Sequence, residues 1–120
     1  MKKSLLLITY FILLSSLIIA QESDISTPNK FSLEQNYPNP FNPSTTIRFT
    51  IPLVGANRNT PVLLKIYNVL GNELAIIINE DLAAGNYNVE YDASNLPSGI
   101  YFYTLTTNDF SETKKMTLVK

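Results

Sequence analysis

The run Tyr37-Pro38-Asn39-Pro40-Phe41-Asn42-Pro43 constrains this chain more than any other stretch. Each proline lacks a backbone donor and holds φ at about −65°. Each also turns the residue before it (Tyr37, Asn39 and Asn42) away from the helical region. A helix and an inner strand are both excluded. What remains is a stiff, extended, kinked ribbon carrying two aromatics, Tyr37 and Phe41. Directly after it, Thr46-Ile47-Arg48-Phe49-Thr50-Ile51 alternates polar and apolar, the period of a half-buried strand. The pairing predicts the opening of a small β domain, with Tyr37 and Phe41 covering one end of its core.

The start of the chain has a different character. Met1-Lys2-Lys3 is basic, Leu5–Leu14 is apolar apart from Thr9, and Ser15-Ser16-Leu17-Ile18-Ile19-Ala20 leads into polar Gln21-Glu22-Ser23-Asp24. That layout predicts a secretory signal peptide over residues 1–20, cleaved after Ala20. An uncleaved anchor is the alternative, but the apolar run is shorter than the roughly 20 residues a spanning helix needs, and Ser15-Ser16 interrupts it. A bacterial lipoprotein signal is excluded because the chain has no cysteine. Contact with a membrane is therefore expected only transiently, through the leader.

Losing Lys2 and Lys3 with the leader takes nine basic residues to seven against ten acidic ones, a net of −3. That balance offers nothing to nucleic acid or to an anionic membrane. Gln21–Lys30 is polar, holds one proline and has no apolar period, as a linker would. Residues 31–120 suffice for one domain, and without disulfides its stability must come from the apolar core.

Strand signals fill that domain. Phe31–Gln35 reads as a short edge strand, Thr45–Pro52 as the first long one, and Leu53–Pro61 as a polar connection. Val62–Val69 follows, then turn chemistry at Asn68–Asn72 with Gly71 free to take positive φ. Glu73–Asn79 places Leu74, Ile76 and Ile78 on one face. Asn86–Asp92 alternates most regularly, with Tyr87, Val89 and Tyr91 inward. Ile100–Thr107 is apolar on both faces at its start, as a central strand would be, and Glu112–Val119 closes the chain with Met116 and Leu118 on one face. Gly71, Gly85 and Gly99 recur every 14 residues, which predicts successive antiparallel connections. The pattern predicts an all-β chain, an Ig-like antiparallel β-sandwich of about seven strands, with a small β-barrel as the alternative.

Little in the sequence supports catalysis. With no histidine and no cysteine, the common nucleophile systems, ordinary zinc sites and covalent haem attachment are all excluded. The four glycines are isolated, so no phosphate loop exists. Two carboxylate pairs could in principle serve a glycosidase, Glu80-Asp81 and Glu90 with Asp92. The first reads as turn polarity and the second as a solvated strand face. A calcium site from Asp81 or Asp92 lacks acid-rich spacing. The seven tyrosines could stack sugars, but their strand positions favour packing. No catalytic residue, metal site or cofactor is predicted, and the chain does not read as an enzyme.

Four stretches together carry a family resemblance. FSLEQNYPNPFNPSTTIRFTIP (Phe31–Pro52), VLLKIYNVLG (Val62–Gly71), NLPSGIYFY (Asn95–Tyr103) and KKMTLVK (Lys114–Lys120) stand in the order and spacing of one family. They resemble the C-terminal sorting domain of the type IX (Por) secretion system, which is Ig-like and related to domains of flagellar hook-capping proteins. The signature falls on Tyr37, Pro38, Asn39, Pro40, Phe41, Asn42, Pro43, Gly71, Gly99 and Tyr101. The resemblance implies export by the Sec machinery, recognition by the outer-membrane translocon and removal by a separate surface sortase, through the periplasm to the cell surface or beyond. It places recognition on Lys114, Lys115, Met116, Leu118 and Lys120, with the three lysines marking a charged, exposed edge. One departure stands out: only Gln21–Lys30 separates leader from domain, where a large cargo is the rule. A free-standing Ig-like structural or adhesion module on the cell surface is the alternative reading.

Overall fold

The computed structural model describes residues 28–53 and 59–120. The expected signal peptide, the Ala20 cleavage point and most of the linker lie outside them, as do residues 54–58. Among the described residues the chain forms seven strands: β1 (Ser32–Leu33), β2 (Ser44–Ile51), β3 (Asn59–Tyr67), β4 (Glu73–Ala83), β5 (Gly85–Asp92), β6 (Gly99–Thr106) and β7 (Ser111–Leu118). They make a three-stranded sheet in the order β1-β2-β5 and a four-stranded sheet in the order β4-β3-β6-β7. Every ladder is antiparallel.

The alternation in the sequence explains the layers. β2 turns Ile47, Phe49 and Ile51 inward, β3 turns Val62, Leu64 and Ile66, and β6 turns Tyr101, Tyr103 and Leu105, all buried between the sheets. Burying each aliphatic side chain stabilises the fold by about 1.5–3 kcal/mol relative to leaving it in water. β6 lies between β3 and β7, as its double-sided apolar start implies. Along β5, Tyr87, Val89 and Tyr91 face inward but stay half-buried, because β5 is an outer strand. Tyr87 stacks on Phe49 across the ladder, with ring centroids 5.3 Å apart.

Four expectations about the fold are corrected. β3 begins at Asn59, inside the stretch read as a connection; Pro61 is tolerated because β6 pairs with β3 only from Leu63 onward. In β4 the partners of Leu64 and Lys65 are Ile78 and Ile76, and those of Ile66 and Tyr67 are Ala75 and Glu73. Ile77 and Leu74 are thus extra residues, two bulges that break the period. Ala75, Ile77 and Ile78 pack against the core, while Leu74 and Ile76 are exposed. Glu80-Asp81, read as a turn, belongs to β4 itself.

The fourth correction concerns the glycines. Only Gly71 closes a hairpin, between β3 and β4, with φ at 83°. Gly85 and Gly99 instead open strands that have just crossed from one sheet to the other. Each is followed two residues on by a tyrosine whose hydroxyl donates back over the corner: Tyr87 to the Ala83 carbonyl and Tyr101 to the Pro97 carbonyl, both at 2.6 Å. These are tyrosine corners of the kind that β-sandwiches use where a chain changes sheet. The 14-residue spacing records two corners, not a row of hairpins.

Candidate functional site

The proline ribbon and the end of the chain, remote in sequence, meet at one edge of the four-stranded sheet. β7 is the outer strand there, and its far side would present unpaired backbone groups. The ribbon fills them. Gln35 Nε2 donates to the Lys115 carbonyl at 2.7 Å, and Asn39 Oδ1 accepts from the Thr117 N–H at 2.9 Å. Phe41 then donates its N–H to the Thr117 carbonyl at 2.9 Å and accepts from the Val119 N–H at 3.0 Å, forming a parallel bridge. The peptide bonds before Pro38, Pro40 and Pro43 are cis.

A buried polar cluster anchors the ribbon from below. Asn36 is only 2% exposed. Its N–H donates to Tyr103 Oη at 2.8 Å, and its Nδ2 donates to Thr45 Oγ1 at 2.9 Å and to the Pro38 carbonyl at 3.2 Å. Thr45 Oγ1 donates to the same carbonyl at 2.9 Å, and Tyr103 Oη donates to the Glu34 carbonyl at 2.7 Å. At the other end the Pro43 carbonyl accepts the Ala93 N–H at 2.9 Å. Burial pushes the Tyr103 phenol up to about 12, against a partial lowering by the Asn36 N–H.

The two aromatics of the ribbon part company. Phe41 is 2% exposed and belongs to the core, whereas Tyr37 is 75% exposed and covers nothing. The reason lies in the pairing. Tyr37 exchanges both backbone bonds with Thr46, and Thr46 stands on the outward face of β2 between buried Thr45 and Ile47. Residues directly opposite share a face, so Tyr37 points outward too. Asn39, Pro40, Asn42 and Pro43 are exposed.

The expected recognition residues have three different environments. Met116 and Leu118 are buried on the inner face of β7. Lys114 lies on that same inner face, beyond the core, paired with Glu112 at 3.3 Å. Lys115 points outward and is exposed, opposite Phe102. Lys120 Nζ donates to the Ser94 carbonyl at 2.7 Å, and its N–H donates to Ser98 Oγ at 2.9 Å. These bonds fasten the chain end to the β5–β6 corner. Asp92 is close by, its carboxyl held low by Ser94. The expectation of three lysines along an open edge is corrected. One lysine is outward, one is paired inward, one is tied to a loop, and the edge is closed.

Sequence reasoning missed Gln35, Asn36, Thr45 and Tyr103. Only Asn36 carried a signal, as a residue able to bond backbone groups just ahead of the prolines. A groove of 390 Å³ lined by Pro61, Leu63, Asn79, Asp81, Thr106 and Asn108 among others lies elsewhere on the domain. Among the described residues no three potential metal ligands of the His, Cys, Asp or Glu type come together.

The chain matches the family of secretion system C-terminal sorting domains over residues 35–119. It belongs to that family. The match runs from Gln35, just ahead of the ribbon and bonded to β7, through Val119, the last residue bonded to the ribbon. The sorting domain is a targeting module of the type IX system, and membership implies interaction with that system and export to the cell surface or the extracellular space. No curated protein matches the chain.

Proposed function

We propose that this sorting domain directs its own chain out of the cell in two stages. Residues 1–20 act as a Sec signal peptide, cleaved after Ala20, and deliver the protein to the periplasm. Residues 31–120 then fold, the outer-membrane translocon reads the tail from Lys114 to Lys120, and a separate surface sortase removes the domain. The domain works by being recognised and performs no catalysis. Chemistry supports this, since the chain has no histidine or cysteine to act as base or nucleophile at neutral pH. The single observation that carries the reading is the family match, which extends through the terminal strand.

The reading is tested with a reporter inserted between Gln21 and Lys30 in a host that has a type IX system. The reporter is expected at the surface with the full chain, and in the periplasm when Met116–Lys120 are deleted. Met116 and Leu118 are core residues, so circular dichroism of the deletion variant must accompany the localisation. A reporter that remains periplasmic with the intact chain overturns the proposal.

A further inference from the structure

The four-stranded sheet has an outer face whose apolar residues gather where the chain ends. Ile76 on β4, Ile100 on β6 and Val119 just past β7 are 51%, 42% and 52% exposed. Between them Tyr67 pairs with Phe102 across β3 and β6, and Phe102 pairs with Lys115 across β6 and β7. Single exposed apolar residues are ordinary, but a connected group of this kind marks a contact surface. Aromatic side chains in such a group are the usual anchors of a protein interface.

Two further observations narrow the occupant. The first is the closed edge. From Lys115 to Val119 the outward backbone groups of β7 are already bonded by Gln35, Asn39 and Phe41. A partner cannot join this segment by adding a strand unless the ribbon leaves, so recognition falls on side chains. The second is charge. Lys65 also stands on the outer face, but Glu73 holds it at 2.6 Å, and Lys114 is paired with Glu112. Lys115 is in no ion pair among the described residues and remains the uncompensated cation of the face.

We propose that the face formed by Tyr67, Ile76, Ile100, Phe102, Val119 and Lys115 docks a partner protein through an apolar surface bearing a carboxylate that meets Lys115. The inference rests on the sorting reading above and names the surface through which it is carried out. It moves the recognition site from the tail alone to three strands, with Lys115 as the residue shared by both.

The test uses the same reporter chain in a type IX host. Lys115→Glu is the deciding variant, because an exposed position tolerates it without loss of fold. Lys115→Arg is its rescue, and Arg48→Glu on the outer face of the other sheet is the control. Ile100→Thr with Phe102→Thr removes the apolar anchors while keeping strand formers. Surface signal is expected to fall at least about tenfold for Lys115→Glu and for the double variant, and to stay at the wild-type level for Lys115→Arg and Arg48→Glu. If wild type reaches the surface and Lys115→Glu does so equally, the docking face is overturned while the sorting function stands. If wild type itself stays in the periplasm, both fall. Sedimentation of the purified wild-type chain supplies a second check. A dimer that dissolves in the Ile100→Thr/Phe102→Thr variant would assign the face to a second copy and overturn the proposal.

Discussion

Phe41 holds the terminal strand through both of its backbone groups, donating to the Thr117 carbonyl at 2.9 Å and accepting from the Val119 N–H at 3.0 Å. The first and the last of the four stretches that carry the family resemblance are therefore one structure. The proline ribbon closes the edge of β7 without extending the sheet, because prolines within it offer no further donors to a next strand. This separates two roles that the sequence places far apart. The ribbon supplies the fixed backbone, and of the named tail residues Lys115 is the one whose side chain stands free on the outer face.

Asn39→Ala removes the side-chain acceptor for the Thr117 N–H, a contact that spans 78 residues of sequence. The loss is expected to cost about 1 kcal/mol of stability. Amide exchange gives the more specific readout: Thr117 should exchange faster than in the wild type, while Val119, still held by the Phe41 carbonyl, should keep its protection. Equal acceleration at both amides would mean that the ribbon opens as a unit.

Phe41→Ala and Tyr37→Ala provide a contrast within one ribbon. Phe41 is 2% exposed, so truncation leaves a cavity and is expected to cost about 3–5 kcal/mol in denaturant unfolding. Tyr37 is 75% exposed and should change stability by less than about 0.5 kcal/mol. A large effect at Tyr37 would contradict its outward placement opposite Thr46.

Much of the fold was legible because β2, β5 and β6 keep strict alternation, and a side chain two residues along a strand returns to the same face. β4 was not, since Ile77 and Leu74 are inserted against β3 and a bulge leaves no mark in a run of aliphatic residues. Spacing between glycines could not say whether a corner stays in one sheet or changes sheets. That became clear only from the hydroxyls of Tyr87 and Tyr101, which reach back over their corners. The tail residues were named by resemblance, and their environments depend on contacts with Gln35, Asn39 and Ser94 that no local pattern encodes.

Gly71→Ala tests the one hairpin that needs a glycine. Gly71 sits at φ 83°, where a Cβ strains the backbone even though nothing lies within 4 Å of it. The substitution is expected to destabilise by about 1 kcal/mol, measured by thermal unfolding, with the surrounding Asn68 bonds to Leu70 and Asn72 unchanged by NMR.

Alkaline pH should release the ribbon's anchor. The Tyr103 phenol sits at about 12 in the folded chain, above its ordinary value, because burial disfavours the phenolate. Below about pH 10 the phenol is protonated in both folded and unfolded chains, and its contribution is constant. As pH rises from about 10 towards 12 the unfolded chain loses this proton while the folded chain keeps it, so stability falls through that window. The full difference is about 2–3 kcal/mol, reached as pH passes the folded value. Tyr91, also raised by burial, adds loss in the same direction. Tyr103→Phe removes the titration but also leaves the Asn36 N–H and the Glu34 carbonyl without their partner. The variant should therefore be less stable than wild type by about 1–3 kcal/mol at neutral pH, with a shallower decline above about pH 10. Denaturant midpoints measured at pH 7 and across the alkaline window would show this as curves that converge. Parallel curves would mean that Tyr103 is not the group that titrates.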